Sequence, residues 1–295
     1  MKNIVVLTAT YNRPMELKKL YRSLRKQSNM NFSWVLVNDG SSHETVELIA
    51  QIKNDAPFEV ISIDQENRGK SAAINHGLDV LTSDVDFLVI VDDDEELFSE
   101  AIDIIAEYYC KYKNAGCGVI HFNRMNEKGE IIASPCIDED FYMPYQEFKA
   151  QKRHADGYIG YYTRYLGKER FQIHTGEKYV APSVLYMKVT TYSKLLWAKS
   201  VLGKTEYLEG GLTKQGRKLR LKNPYGMLQY CNLMLEYKNL KHRMIYSILG
   251  YTYSCFCNEK LDMKNYNFYR WAKIPGKILA FNWERKFKLR HYKSN

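Results

Sequence analysis

Short apolar, β-branched runs alternate with amphipathic stretches through the first third of the chain. The runs are residues 4–8, 34–37, 60–63 and 87–91. The stretches between them repeat apolar residues at helical spacing; the first begins at Pro14 and places Leu17 and Leu20 on one face. Apolar runs of this length that are bounded by polar residues indicate buried strands. The helical spacing of apolar residues in the stretches between the runs indicates amphipathic helices.

Four strands that alternate with helices are typical of an α/β fold with a mostly parallel sheet and helices on both faces. In such a sheet, ligands bind beyond the carboxyl ends of the strands. A polar cluster follows each apolar run, and these clusters are residues 9–13, 38–42, 67–71 and 92–96. The sequence therefore predicts that the four clusters meet at one edge of the sheet and form a ligand site.

The pattern becomes irregular after residue 116. We expect strands over 119–122 and 131–133, and helices over 188–202, 226–257 and 274–290. The change of pattern predicts a catalytic domain over residues 1–210 and a helical C-terminal region over residues 211–295.

The two predicted regions differ sharply in charge. Residues 211–295 hold 18 Lys/Arg and 4 Asp/Glu, while the whole chain has a net charge of +9. Such segregation favours a polyanionic partner, such as membrane headgroups, nucleic acid or an anionic ligand. Nucleic acid is disfavoured because no nucleic-acid-binding motif accompanies the charge.

The stretch 274–290 mixes apolar and cationic residues. At helical spacing Ile278, Phe281 and Leu289 share one face with Arg285, and Ile274 joins its edge. Trp283 and Phe287 lie off this face. This pattern predicts an interfacial helix on an anionic membrane surface, with a docked helix and a solvated basic face as the alternative.

Several features bear on location. The apolar run at the N-terminus is too short for a signal peptide, and no run approaches the roughly 18 apolar residues of a membrane span. The six cysteines form no metal-binding spacing, which favours reduced thiols. We expect a cytoplasmic protein that associates peripherally with the inner face of the membrane.

Three adjacent aspartates follow the most apolar run. Because they repel one another they need a cation, and carboxylate oxygens suit Mg²⁺ or Mn²⁺ shared with phosphate oxygens. In an extended chain Asp92 and Asp94 point to one side and Asp93 to the other. The alternative is an acidic turn capping a helix that begins near Ser99. Their place at the end of the most buried predicted strand favours the cation.

Asp39 follows the second run. Its carboxylate can accept a hydrogen bond from the imide N–H of uracil. An ordinary Asp-Gly turn is the alternative.

Taken together, these segments resemble the family-2 glycosyltransferases, which have the A-type nucleotide-sugar fold. The matching segments are TATYNR at 8–13, NDGSS at 38–42, ENRGKSAAINHG at 66–77 and VDDDE at 91–95. They follow the order and spacing of the family. Two departures are Asn38 and His43, where the family often has Asp.

The resemblance implies a donor site. Its nucleotide-sugar-binding residues would be Thr8 and Asn12 near the nucleotide, Asp39 at the base, Asn67, Arg68 and Gly69 in the loop near the nucleotide and diphosphate, and Asp92 and Asp93. Asp94 would hold Mn²⁺ or Mg²⁺ as part of the DxD element that it forms with Asp92.

Family members also carry a Glu-Asp pair near the acceptor, whose carboxylate is the general base. The nearest match is TGEK at 175–178, with Lys in place of Asp, so Glu177 is the predicted base. Asp156 and Glu206 are alternatives, and Glu177 could instead be an ordinary turn residue. The cations that could assist the leaving group are Arg68, Lys70, Lys178 and Arg217.

The predicted activity is therefore that of a metal-dependent, inverting glycosyltransferase. It would move a sugar from a nucleotide-sugar donor, expected to be a UDP-sugar, to a saccharide or lipid-linked saccharide acceptor in bacterial surface polysaccharide synthesis. A nucleotidyltransferase is the enzymatic alternative, but residues 8–13 lack the glycines of its phosphate loop. A catalytically inactive membrane scaffold is the other alternative, and the presence of Asp39, Asp92 and Asp94 argues against it.

Overall fold

The computed structural model describes residues 3–205, 212–257 and 262–287, and the side chains of 212–215 are not described. The chain divides into two compact units. The first comprises Met1–Arg170 and Val189–Glu206, and the second comprises Phe171–Lys188 and Tyr207–Asn295. Residues 171–188, which the sequence pattern grouped with the catalytic domain, thus belong to the second unit.

The described strands are β1 (Ile4–Thr10), β2 (Ser33–Asn38), β3 (Glu59–Asp64), β4 (Phe87–Ile90), β5 (Glu95–Leu97), β6 (Cys117–Met125), β7 (Ala133–Ser134), β8 (Phe141–Tyr142), β9 (His154–Ala155), β10 (Gly157–Tyr162) and β11 (Lys194–Thr205). The described helices are α1 (Pro14–Leu24), α2 (His43–Asp55), α3 (Lys70–Asp79), α4 (Ala101–Tyr112), α5 (Tyr145–Ala150), α6 (Thr163–Leu166), α7 (Ser183–Val189), α8 (Leu212–Lys222), α9 (Pro224–Met234), α10 (Leu240–Ser254) and α11 (Lys273–Phe287).

A central sheet with the strand order β3-β2-β1-β4-β10-β6-β11-β5 organises the first unit. The four strands predicted from the first apolar runs are its parallel half. Thr10 lies opposite Asn38, and Asn38 lies opposite Asp64, so the carboxyl ends of β1, β2 and β3 are level. The prediction of an α/β fold with a large sheet flanked by helices is confirmed. The later strands add antiparallel pairs, since β10 runs antiparallel to both β4 and β6.

The predicted helix over 188–202 is wrong. Helix α7 ends at Val189, and β11 begins at Lys194 and pairs with β6, β5 and β8. Leu195, Leu196 and Trp197 are buried in this strand. A short apolar run is compatible with either a buried helix or a buried strand, and the neighbouring strands decide between them.

The helix predicted over 226–257 is two helices. Helix α9 ends at Met234, and α10 starts after Asn239, whose side-chain oxygen accepts a hydrogen bond from the backbone N–H of His242 at 3.0 Å. This side chain caps the new helix in the usual manner of Asn. The strand expected over 131–133 is reduced to β7, preceded by an isolated bridge between Ile131 and Met125.

Each unit has its own apolar core. In the first unit, Leu17 and Leu20 of α1 are buried in the same cluster as Trp34 and Phe87 of the sheet. In the second unit, Leu228, Tyr253 and Trp283 bring α9, α10 and α11 into one cluster. None of the helices within the described ranges is both long and apolar enough to cross a membrane.

Candidate active site

The carboxylate of Asp39, directly after β2, is buried and organises the loop after β3. Its Oδ1 accepts hydrogen bonds from Gln65 Nε2 at 2.7 Å and from the backbone N–H of Arg68 at 2.8 Å. Its Oδ2 accepts hydrogen bonds from the backbone N–H of Gly69 at 2.8 Å and from Asn67 Nδ2 at 3.3 Å. A carboxylate offers about four acceptor positions, so this loop uses the full capacity of Asp39.

Two glycines let the loops after β2 and β3 approach each other. Gly40 has φ +75°, and a Cβ atom there would lie 2.8 Å from the backbone nitrogen of Asn67. Gly69 has φ +90° and immediately precedes α3. Positive φ favours glycine. In this conformation the backbone N–H of Gly69 donates its hydrogen bond to the Asp39 carboxylate.

Asn12 joins the loop after β1 to the loop after β2. Its Oδ1 accepts a hydrogen bond from the backbone N–H of Ser42 at 2.7 Å, and its own backbone N–H donates to Ser41 Oγ at 3.0 Å. Thr8 lies elsewhere: its side chain is fully buried, and its hydroxyl accepts a hydrogen bond from Trp34 Nε1 at 3.0 Å. The structure thus buries the Thr8 side chain in the core of the sheet, and Thr8 makes no described hydrogen bond to the loops that surround Asp39.

Asp92 forms an ion pair with Lys70, the first residue of α3. Lys70 Nζ lies 2.5 Å from Asp92 Oδ1, and about a third of each side chain is exposed. Burial alone would raise the pKa of Asp92, but the Lys70 ammonium outweighs burial and holds this pKa below its ordinary value. Because Gly69 bonds to Asp39 and Lys70 pairs with Asp92, two consecutive residues connect the loop after β2 to the aspartate cluster.

Arg13 forms ion pairs with the other two aspartates. Its Nη1 atom lies 3.1 Å from Asp93 Oδ1 and 2.9 Å from Asp94 Oδ2. The hydroxyl of Thr10 donates to Asp93 Oδ2 at 2.8 Å. Burial raises the pKa of Asp93 to about 6, against the opposing effect of Arg13, and burial together with the Asp92 carboxylate raises the pKa of Asp94. The predicted arrangement, with Asp92 and Asp94 on one side and Asp93 on the other, is wrong. Asp93 and Asp94 lie in a turn and share Arg13, whereas Asp92 pairs with Lys70.

A buried arginine supports the cluster from within the sheet. Arg124 of β6 forms ion pairs with both Glu95 and Asp156. Glu95 Oε2 in turn accepts a hydrogen bond from the backbone N–H of Asp92 at 2.9 Å. This arrangement holds the backbone of the first aspartate in place, and Asp156 contributes to it as the partner of Arg124.

The charges of the cluster suit a divalent cation. Five carboxylates (Asp92, Asp93, Asp94, Glu95 and Asp156) face three cations (Arg13, Lys70 and Arg124), which leaves two negative charges. Among the described residues, no three His, Cys, Asp or Glu side chains are arranged to hold a metal by themselves. Mg²⁺ and Mn²⁺ sites with one or two carboxylates are commonly completed by phosphate oxygens and water. The residues present therefore fit a cation shared with a diphosphate, and Asp92 and Asp94 are the carboxylates that would hold it.

Glu177, the predicted base, belongs to the second unit and caps α9. Its Oε1 accepts a hydrogen bond from the backbone N–H of Tyr225 at 2.7 Å, and its Oε2 accepts one from Gly226 at 2.9 Å. In return Asn223 Oδ1 accepts hydrogen bonds from the backbone N–H groups of Lys178 and Tyr179. A negative charge at a helix N-terminus is favourable. Burial raises the pKa of Glu177, although the two backbone hydrogen bonds oppose the shift.

The structure brings together most of the donor-site residues expected from the resemblance. The loop residues Asn67, Arg68 and Gly69 contact Asp39 directly, and the aspartates 92–94 adjoin them through Lys70. The sequence reasoning missed Arg13 and Arg124 as partners of the acidic cluster. Three adjacent carboxylates indicate that positively charged groups lie nearby, but the sequence pattern does not identify which basic side chains these are. Glu206, the other alternative base, lies outside the described residues.

The sheet, its covering helices and the polar clusters at its carboxyl edge define an α/β protein. A model of Glycosyl transferase family 2 matches residues 5–174, which is more than half of the chain. The chain therefore belongs to glycosyl transferase family 2.

Individual relatives match smaller parts. A poly-beta-1,6-N-acetyl-D-glucosamine synthase from Staphylococcus aureus is 30% identical over 109 residues, which are 37% of this chain and 24% of the synthase. The matched stretches of the first curated relatives span between 19% and 28% of their lengths.

Two solved structures share the fold. S. aureus TarS 1-349 in complex with UDP-GlcNAc has a TM-score of 0.64 at 14% identity, covering 99% of this chain and 93% of that chain. The mannosyltransferase PcManGT from Pyrobaculum calidifontis, in complex with GDP-Man and Mn²⁺, has a TM-score of 0.59 at 14% identity, covering 98% of this chain and 88% of that chain.

Proposed function

We propose that this chain is an inverting glycosyltransferase that moves a sugar from a UDP-sugar to a saccharide acceptor. One observation carries the proposal. Gly69 and Lys70 connect Asp39, the residue expected at the base, to Asp92, the residue expected at the ribose and diphosphate. The two polar clusters adjoin at the edge of the sheet where ligands bind in α/β folds, and we propose that one nucleotide-sugar contacts both.

The uracil contact expected of Asp39 takes a modified form in this proposal. Because residues 65–69 already donate four hydrogen bonds to the Asp39 carboxylate, the primary role of Asp39 is to hold that loop in place. A bound uracil would contact Asp39 by displacing one of the side-chain donors, Gln65 or Asn67, while the backbone bonds to Arg68 and Gly69 remain. UDP and UDP-GlcNAc are bound in the TarS structures, which supports the choice of a uridine donor.

The residues of the aspartate cluster have distinct parts in the reaction. Lys70 would move from Asp92 toward the donor diphosphate and offset the charge that grows on the leaving group. Arg13 would keep Asp93 and Asp94 in place. A divalent cation, held by Asp92 and Asp94 and shared with the diphosphate, would supply further charge neutralisation. The Mn²⁺ in the PcManGT structure supports this assignment.

The acceptor hydroxyl must lose a proton as it attacks C1 of the donor sugar, and a carboxylate is the expected base. Glu177 keeps this assignment from the family resemblance, and the raised pKa of its carboxyl group is suited to the task. Asp156, paired with Arg124, is the alternative.

The acceptor is proposed to be a growing surface polysaccharide, free or carried on a lipid. The similarity to a poly-N-acetylglucosamine synthase supports a saccharide acceptor. The proposed location is the cytoplasmic face of a membrane, and the excess of Lys/Arg in residues 211–295 supports it.

The direct test is a screen of UDP-sugars and GDP-sugars with Mn²⁺, in which mass spectrometry detects sugar transfer to saccharides or to water. Release of UDP from one UDP-sugar, lost in Asp94→Ala, supports the proposal. A nucleotidyltransferase would instead release pyrophosphate from a nucleoside triphosphate and a sugar phosphate. A scaffold would bind UDP weakly or not at all in calorimetric titration and would turn over no donor.

A further inference from the structure

Helix α11 and the turn before it expose a stripe of large apolar side chains. The exposed fractions are 49% for Trp271, 72% for Ile274, 58% for Ile278 and 53% for Phe281. Their spacing of three, four and three residues puts them along one side of the helix. Single exposed apolar residues are ordinary, but a row of four that the described residues leave about half exposed or more marks an interaction surface.

The opposite side of α11 is packed against the second unit. Gly276, Ala280 and Trp283 are buried, and a Cβ atom at Gly276 would lie 2.6 Å from the Tyr251 side chain. Because Trp283 and the close contact at Gly276 hold the helix against α10, the apolar stripe cannot turn inward without breaking this packing.

Cations flank the stripe. Lys273, Lys277, Arg285 and Lys286 of α11 are exposed, and Arg270 is exposed just before the helix. Glu284 is the acidic residue within α11. The helix therefore presents apolar side chains bordered by positive charge, the combination that binds the interface of an anionic lipid leaflet.

We propose that the stripe formed by Trp271, Ile274, Ile278 and Phe281 is a docking surface for an anionic phospholipid membrane. The apolar side chains enter the boundary between headgroups and acyl chains, and the flanking lysines and arginines contact the phosphates. This surface contains Ile274, Ile278 and Phe281 of the face expected from sequence and extends it upstream to Trp271, while Leu289 of that face lies outside the described residues. The inference rests on the membrane location proposed above and names the surface that binds there, and it does not depend on the proposed sugar or acceptor.

A lipid surface fits these residues better than a second copy of the chain. In a symmetric dimer through this stripe, the same cationic borders would face each other and repel. A membrane containing anionic lipid instead offers opposite charge to the cations and an apolar layer to the stripe.

The test is co-sedimentation of the full chain with vesicles of equal parts phosphatidylcholine and phosphatidylglycerol, compared with vesicles of phosphatidylcholine alone. We expect binding to the mixed vesicles that weakens as salt is raised. Exchange of all four stripe residues for Ser should lower the partition coefficient about tenfold or more. Each of Lys273→Gln and Lys277→Gln should lower it about fivefold.

Leu240→Ser is the matched control, because Leu240 is 66% exposed on α10 of the same unit but lies outside the stripe. It should leave vesicle binding unchanged. All variants alter exposed side chains, and thermal unfolding followed by circular dichroism checks that they fold. The proposal is overturned if the wild type does not bind the mixed vesicles or if the quadruple Ser variant binds them as well as wild type. It is also overturned if Leu240→Ser loses as much binding as the quadruple Ser variant. It is equally overturned if the wild type forms a dimer that the Ser variant dissociates while neither binds vesicles.

Discussion

The ammonium group of Lys70 lies 2.5 Å from Asp92 Oδ1 and connects the loop anchored by Asp39 to the aspartate cluster. From the sequence, four cations could assist the leaving group, and Lys70 is the one that the structure pairs with the first aspartate. Arg217 instead packs over the ring of Trp283, with its guanidinium carbon 4.2 Å from the ring centroid. The ion pair therefore singles out Lys70 for mutation.

Lys70→Met should lower sugar transfer about 100-fold or more, because the variant cannot place a positive charge near the departing diphosphate. Steady-state kinetics with the identified donor measure the effect. Lys204→Met is the matched control, since Lys204 pairs with Glu96 outside the cluster, and it should keep near wild-type turnover. Equal losses in the two variants would argue against a special role for Lys70.

Asp94→Ala should abolish transfer and the response to added Mn²⁺, because one of the two proposed cation ligands is lost. Asp138→Ala removes an exposed carboxylate away from this cluster and should leave both unchanged. A metal titration that is the same for Asp94→Ala and wild type would contradict the cation assignment.

Asp39→Asn should both destabilise the protein and weaken UDP binding. The new amide would turn an N–H group toward the backbone N–H of Arg68 or Gly69, and an unsatisfied buried donor costs about 1–3 kcal/mol. Urea unfolding measures the free energy of unfolding, and calorimetric titration measures the UDP affinity. Unchanged UDP affinity would remove Asp39 and its loop from the donor site.

Glu177→Gln separates two roles of one carboxylate. If Glu177 is the base, transfer should fall by about 10²–10⁴-fold while UDP affinity stays the same. Asn223→Ala is the structural control, because it breaks the reciprocal hydrogen bonds to residues 178 and 179 without removing the carboxylate. A comparable loss of transfer in Asn223→Ala would assign the effect to the capping of α9, and full activity in Glu177→Gln would direct attention to Asp156.

Asp140 should make folding stability depend on acid pH. Burial alone would raise its pKa, but the backbone N–H of Lys199 and the hydroxyls of Tyr108 and Tyr112 outweigh burial and lower this pKa below 3.8. A carboxyl group with a lowered folded-state pKa stabilises the protein above its unfolded-state pKa and loses that contribution as the pH falls through the folded-state value. Asp140→Asn should therefore cost about 1–3 kcal/mol at neutral pH.

The difference between wild type and Asp140→Asn should shrink as the pH falls below about 3.8. Urea unfolding of both proteins across this range measures it. A difference that stays constant down to the lowest usable pH would contradict the assigned pKa direction.

The amino-acid sequence by itself determined the parallel half of the sheet and the loops of the candidate site. Apolar runs and helical spacing are local properties, and the polar residues that end each run must lie at the carboxyl edge of the sheet once the strands pair in parallel. Asp39, Asn67, Gly69 and the aspartates 92–94 could therefore be placed near one another before their contacts were known.

Only the tertiary structure decided which groups these residues meet. Residues 194–205 are a strand because β6, β5 and β8 pair with them, and their own pattern could not distinguish strand from helix. Thr8 bonds to Trp34 inside the core, and Glu177 caps a helix that begins almost fifty residues later in the chain. Hydrogen-bond and ion-pair partners far apart in sequence are set by how the elements pack, so local pattern carries little information about them.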